Sequence, residues 1–155
     1  MIISFNTLKS DIQRHLSVIG KRQYSKDGQN MFSNITVSSE EKAIFDQYIK
    51  SGAQTIEAML RPLVTSFSTS STDITLILTN TRGSQDFDSR CKEMATSFLI
   101  AYVLNEFLGM NYPDLAKKYN DEASTNMQSL ILYAFQKNEP SHSSASYNDI
   151  NGTTL

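Results

Sequence analysis

Apolar residues recur at helical spacing over four stretches of this chain and alternate with polar ones over a single stretch. Leu8, Ile12, Leu16 and Ile19 stand four, four and three residues apart, which puts them on one stripe of an amphipathic helix. Asn6 suits its N-cap and Gly20 its end. Residues 21–37 lose this rhythm. Lys26-Asp27-Gly28 reads as a turn and Met31 to Val37 as a short extended segment. A second helix, over 39–61, opens at Ser38 and Glu41, whose spacing is that of a capping box. Ile44, Phe45, Tyr48, Ile49, Ala53, Ile56, Met59, Leu60 and Leu63 keep one face apolar. Pro62 predicts its end near Arg61, because the residue before a proline avoids the α region.

The period then changes. Ile74, Leu76 and Leu78 fall on one side of an extended segment, with Thr75 and Thr79 on the other, the alternation of a half-buried strand. Leu63 to Phe67 can pair with it through a Ser/Thr-rich turn at 68–72. A single strand is not stable in water, so without that hairpin a neighbouring subunit would have to add the partner. The third helix spans 85–108, capped by Ser84 and stopped by Gly109. Phe87, Cys91, Met94, Ala95, Phe98, Ala101, Tyr102 and Leu108 form its stripe, and Phe98 to Leu104 is apolar nearly all round, the mark of a central helix. A fourth helix starts at Pro113 and reaches Lys137 through Leu115, Tyr119, Ala123, Met127, Leu130 and Ala134, with Asn120-Asp121 as a candidate break. The short link from Gly109 to Tyr112 makes the last two helices an αα-hairpin. Residues 138–155 are polar and aperiodic, and alone they should be disordered.

The predicted fold is therefore mainly α: a small bundle of about four helices with a short β-hairpin inserted and an extended C-terminal tail. The sequence divides into a helix and irregular segment over 1–37, a bundle over 38–137 with its β-element near 63–80, and the tail over 138–155.

Composition narrows the chemistry. The single cysteine, Cys91, excludes a disulfide framework within the chain, and with His15 and His142 it leaves too few soft ligands for a zinc or iron site. No apolar run is long enough to span a membrane, and the N-terminal stretch has neither the basic region nor the apolar run of a signal peptide. The net charge of −2 is unremarkable, but its distribution is not. Residues 1–30 hold five bases against two acids, a local +3, and the remainder carries −5. Such asymmetry can orient a protein against a partner or a copy of itself. Ser, Thr and Asn number 21, 13 and 11, whereas charged residues make up only 19%. A surface rich in hydroxyls and amides suits broad polar contacts with neighbours.

No catalytic constellation stands out. There is no Gly-x-Ser-x-Gly elbow, and the six glycines never cluster into a phosphate cradle. His15 lies off the apolar stripe of its helix, and His142 lies in the tail. Cys91 falls on an apolar face, where it acts as a small hydrophobe. Asp86 and Asp88 are two residues apart, point in different directions on a helix, and read as first-turn acids favoured by its dipole. Catalytic residues, cofactor and metal are all read as none. Sequence-specific nucleic-acid binding is disfavoured by the acidic chain and the lack of a dense basic face.

The order of elements carries a resemblance. A capped long helix, a Ser/Thr-rich strand region, a second long helix and a final helix ending in Leu130-Ile-Leu-Tyr-Ala-Phe-Gln-Lys-Asn-Glu-Pro140 resemble the head–tail connector (adaptor) proteins of tailed bacteriophages over roughly residues 39–139. That resemblance implies a helical bundle with a β-element between helices, assembled as a ring of about twelve copies beneath a portal protein. It also implies contacts with tail or further ring proteins, a virion location after assembly in the bacterial cytoplasm, DNA passing non-specifically through the lumen, and no catalytic residues. The N-terminal helix and residues 21–37 depart from that pattern. Partner contacts are expected at Lys21, Arg22 and Lys26, at Ile74, Leu76, Leu78 and Arg82, and at Tyr147 and Ile150, the sizeable apolar anchors of the tail. The alternative is a stand-alone cytoplasmic helical domain that binds a regulatory protein or peptide in an apolar groove between the third and fourth helices.

Overall fold

A helix that is apolar on every side has to be covered on every side, and the fold is arranged to do this. The computed structural model describes residues 1–22, 39–109 and 112–136, with the side chains of 20–22 and 39–42 outside that description. At its centre lies α3 (Phe87–Gly109), whose Phe98, Leu99, Ala101, Val103 and Leu104 are all buried. Around it pack α1 (Phe5–Arg22), α2 (Ser39–Leu60) and α4 (Pro113–Phe135), the last as the antiparallel arm of an αα-hairpin. The architecture is mainly helical with a small antiparallel sheet, as the hydrophobic pattern predicts.

Local signals set three of the helix boundaries. Pro62 ends α2, which tightens into a single 3-10 turn, Arg61–Leu63, before the chain turns extended. Pro113 occupies the first turn of α4, where its missing N–H has no helical partner to lose. Ser84 forms a turn ahead of α3, its hydroxyl bonded to the Asp86 carboxylate and its carbonyl accepting the Phe87 N–H at 3.4 Å. Two expectations are corrected. α4 runs unbroken through Asn120-Asp121, because both side chains face solvent while Tyr119 and Ala123 on either side hold the helix to the core. α1 continues past Gly20 to Arg22.

The sheet has strand order β1-β3-β2, built from β1 (Ile2–Ser4), β2 (Val64–Thr69) and β3 (Asp73–Leu78). β2 and β3 form the expected hairpin, with Phe67 opposite Leu76 and Thr69 opposite Ile74. Ser70 shapes its turn, the hydroxyl accepting the N–H groups of Thr72 (3.1 Å) and Asp73 (2.9 Å). β1 is a strand that the periodicity does not reveal, since three residues before a helix are too few to show alternation. It pairs along the other side of β3, where Met1 N donates to the Leu76 carbonyl at 2.7 Å and Leu76 N returns a bond to Met1 O at 3.0 Å. Both sides of β3 are thus paired within one chain, so no neighbouring subunit is needed to complete it.

Ile74, Leu76 and Leu78 point from β3 into the same core as Leu8, Ile12, Leu16, Phe45, Ile49 and Leu130. Each such burial stabilises the fold by roughly 1.5–3 kcal/mol. α1 and β1 share this core, and Lys9 on α1 is paired with Asp46 on α2 at 2.5 Å, so the described part of 1–37 belongs to the bundle. The turn at 26–28, the extended segment at 31–37, Ser38 of the capping box and the tail over 138–155 lie outside the described residues.

Helices α2 and α3 approach closely at Gly52. A Cβ there would sit 2.8 Å from Leu99 Cδ2 and 3.0 Å from Tyr102 Cδ1, while Ser51 Oγ and Tyr102 Oη bond at 3.1 Å one residue away. In an ordinary exposed helix, Gly→Ala gains up to about 1 kcal/mol. Here Gly52→Ala is expected to lose about 1–3 kcal/mol, as over-packing against Leu99 and Tyr102 outweighs the propensity gain. Chemical denaturation of the two proteins checks the sign.

Candidate functional site

The residues singled out from sequence separate into four groups. Ile74, Leu76 and Leu78 are between 2% and 7% exposed, which removes them as contact residues. Alternation identified them as one face of a strand, but that face covers this chain's own helices. Lys21 and Arg22 lie in the last turn of α1, where only the backbone is described. Lys26, Tyr147 and Ile150 fall outside the described residues.

Arg82 is placed in detail. The loop after β3 folds back on the C-terminal end of α4. There Thr81 Oγ1 donates to the Ala134 carbonyl at 2.6 Å, serving a group that the helix end leaves without a helical partner. Arg82 Nη1 donates to Gln136 Oε1 at 3.1 Å, and its guanidinium lies 4.4 Å from the centre of the Tyr133 ring. Tyr133 in turn stacks on Phe87 at 6.0 Å. Gly83 has φ of 63°, the left-handed conformation that glycine adopts without steric cost. Asn80 braces the turn, donating to Ser84 O and accepting the Arg82 N–H. Arg82 thus sits where the chain leaves α4.

The sheet presents a second surface. Cross-strand register puts Ser66 beside Ile77, and Ser68 and Ile2 beside Thr75 on the face away from the core. Ser66 and Ser68 are exposed, as are Ile77 (49%) and Ile2 (58%). β2 is one of the two outer strands of the sheet, and it carries no charged residue and no proline. Edge strands commonly use such residues to discourage pairing with another chain.

A third feature was not legible in the sequence. α1 and the start of α4 enclose an open groove of about 370 Å³ lined by Arg14, His15, Val18, Ile19, Leu115, Lys118 and Tyr119. Val18, Ile19 and Leu115 make its floor apolar, and Arg14 and Lys118 make its rim cationic. Arg14 is partly engaged by Asp11 at 3.5 Å, and Lys118 Nζ lies 5.6 Å from the centre of the Tyr119 ring. Burial raises the Tyr119 hydroxyl above the usual tyrosine range, with Glu122 adding to the effect. This groove lies between the first and fourth helices, not between the third and fourth, whose facing sides are closed by packing. His15 is exposed on its wall.

Two further titratable groups, Cys91 and Asp86, are held by their local surroundings. Cys91 is fully buried, and its thiol is pushed up to about 11 by burial first and by the Asp88 carboxylate second. Asp86 is held below the usual carboxylate range by its bond from Ser84 and by Arg90, whose Nε is 2.6 Å away. Among the described residues, no group of three His, Cys, Asp or Glu is placed to hold a metal ion, and no helix is long and apolar enough to cross a membrane. No protein-family model, curated protein or solved structure matches the chain.

Two outcomes are expected. As pH rises above 9, the ordinary value for the thiol, the unfolded chain gives up the Cys91 proton while the folded chain keeps it until about pH 11. The unfolded state then binds fewer protons, so Cys91 makes stability fall with pH across that window. Urea midpoints between pH 8 and 10.5 should show this slope, and Cys91→Ala should flatten it. Separately, Thr81→Val should cost about 1 kcal/mol, because it leaves the Ala134 carbonyl without its partner, and a thermal melt reads that loss.

Proposed function

We propose that this chain is a structural virion protein, one copy of a ring at the portal vertex that joins a phage head to its tail. The observation that carries the reading is the order of elements: a long helix, a proline-ended turn, a Ser/Thr-rich antiparallel hairpin, a long central helix and the helix that returns antiparallel along it. That order resembles phage head–tail connectors. The surface supports the reading. The hairpin displays hydroxyls rather than charges, and the wider chain is rich in Ser, Thr and Asn, so large polar contacts form without charge repulsion. The opposite charge of residues 1–30 and the remainder fits a head-to-tail contact, in which one patch meets a different patch on the next copy. With its β-element complete within the chain, each copy would enter the ring already folded and dock by its surface. No catalytic residue, cofactor or metal is assigned. DNA would pass through the lumen without sequence-specific contact, and no membrane is involved.

The α1–α4 groove favours a second reading, a stand-alone cytoplasmic domain that binds a regulatory protein or peptide. Its apolar floor and cationic rim suit an acidic segment with one or two large apolar side chains.

Negative-stain imaging of the full chain, alone and mixed with purified portal particles, separates the two. The expected result is closed rings on the portal vertex, and the same protein in disrupted virions. A chain that never joins the portal and is absent from virions overturns the proposal. Binding to an acidic peptide that is lost in Leu115→Glu would instead support the regulatory reading.

A further inference from the structure

β2 is one of the two outer strands of its sheet, and among the described residues no strand pairs with its free edge. The ladder with β3 fixes which backbone groups face outward. Ser70 N donates to Asp73 O at 2.8 Å, so hydrogen-bonded pairs recur at every second residue back along β2, at Ser68 and Ser66, opposite Thr75 and Ile77. The N–H and C=O groups of Phe67 and Thr69 therefore point away from β3. An irregularity between Val64 and Ser66 places Thr65 at a bulge, which increases local twist and leaves the five residues that follow Val64 as the usable edge.

The sequence of that edge reads the same in both directions: Thr65-Ser66-Phe67-Ser68-Thr69. We infer that β2 is a self-association surface, which pairs antiparallel with β2 of a second copy about a two-fold axis at Phe67. Three observations converge on a second copy as the occupant. An antiparallel pair centred on Phe67 brings each residue against its own kind: Phe67 against Phe67, Ser66 against Ser68, Thr65 against Thr69. Aromatic pairs and Thr–Thr or Ser–Ser pairs are favourable cross-strand neighbours. The same centring aligns the residues whose backbone groups point outward, so Phe67 exchanges both its hydrogen bonds with Phe67 of the second copy. Finally, no residue of β2 is charged, so nothing on the strand repels an identical strand.

The side chains agree with this placement. Phe67 lies beside Leu76 on the core side of the sheet and is only half-buried, so a second Phe67 would cover the remainder of its ring. On the other face, Ile77 lies half-exposed beside Ser66, and pairing would bring it nearer to the second copy's Ser68. The joined sheet has six strands, β1-β3-β2 followed by β2-β3-β1. Its outer ends are then the three-residue β1 strands, and a short edge strand is one of the devices that stops further growth. The product is a closed dimer rather than a fibre. This contact is isologous and cannot by itself close a ring of many copies, so it is independent of the virion reading. In a ring assembly it would join two rings or two free copies.

The experiment is sedimentation of the full chain over a micromolar-to-millimolar series, with amide hydrogen exchange read at Phe67 and Thr69. The expected result is a reversible monomer–dimer equilibrium, in which those two amides become protected as the dimer fills. Thr69→Pro deletes a donor that the monomer does not use and places proline where edge strands tolerate it. It should weaken dimerisation by about tenfold or more. Ser66→Lys/Ser68→Lys, on the exposed face, should do the same by setting like charges opposite one another. Circular dichroism melts confirm that each variant is folded. A chain that stays monomeric at the highest concentration with both amides exchanging freely overturns the inference. So does a dimer that both folded variants leave unchanged. Neither result bears on portal binding, and a failure to bind the portal leaves the β2 dimer intact.

Discussion

The burial of α3 is the constraint that organises this molecule. Its middle section offers no polar face to water, so every other element is required as cover: α4 by direct return, α2 by close approach at Gly52, α1 and the sheet on the remaining sides. A core built round one helix places its demands on that helix's neighbours. Large side chains fill the gaps where helices diverge, as where Phe45 meets Phe107 at 5.0 Å. Absence of a side chain is needed where they converge. Polar interactions then act at the margins. Lys9 and Asp46 tie α1 to α2, and Thr81 satisfies the end of α4, but neither replaces the apolar packing beneath.

The same economy explains where function can reside. No charged or polar residue is fully buried among the described residues, and the thiol of Cys91 is held neutral by its surroundings. A protein with an apolar interior and no buried polar cluster meets other molecules through its exterior. Three exterior features are distinct from a uniformly charged coat: the uncharged edge of β2, the α1–α4 groove and the loop that clasps the end of α4. They lie at separate places: the outer edge of β2, the start of α4 against α1, and the opposite end of α4.

Much of the fold was legible in the sequence, and the limits of legibility have physical causes. The alternation of Ile74, Leu76 and Leu78 announced a strand, and the apolar girdle of Phe98 to Leu104 announced a central helix. Pro62 and Pro113 fixed boundaries because proline acts locally. β1 was hidden, since its partner lies more than seventy residues away and three residues carry no period. The same distance misled the reading of β3 as a contact surface: alternation tells that one face is buried but not by what. Asn120-Asp121 suggested a break because both residues favour turns, yet neighbouring core side chains override so small a preference. The groove could not be read because it is made by two helices that no local pattern brings together. Arg82 was expected at a partner contact, and its neighbours within the chain, Tyr133 and Gln136, are visible only in three dimensions.

The position of β1 has a consequence for synthesis. Residues 2–4 are translated well before residues 73–78, so the strand to which they belong does not yet exist when they emerge from the ribosome. The hairpin can close over a handful of residues, and α3 with α4 over a few more, whereas β1 must wait for about seventy residues and then close a long loop, at an entropic cost that grows only slowly with its length. Ile2 and Ile3 thereby wait several seconds for their partner strand at ordinary elongation rates of about 5–20 residues per second. Whatever meets those residues first, a chaperone or another nascent chain, does so before the sheet can claim them.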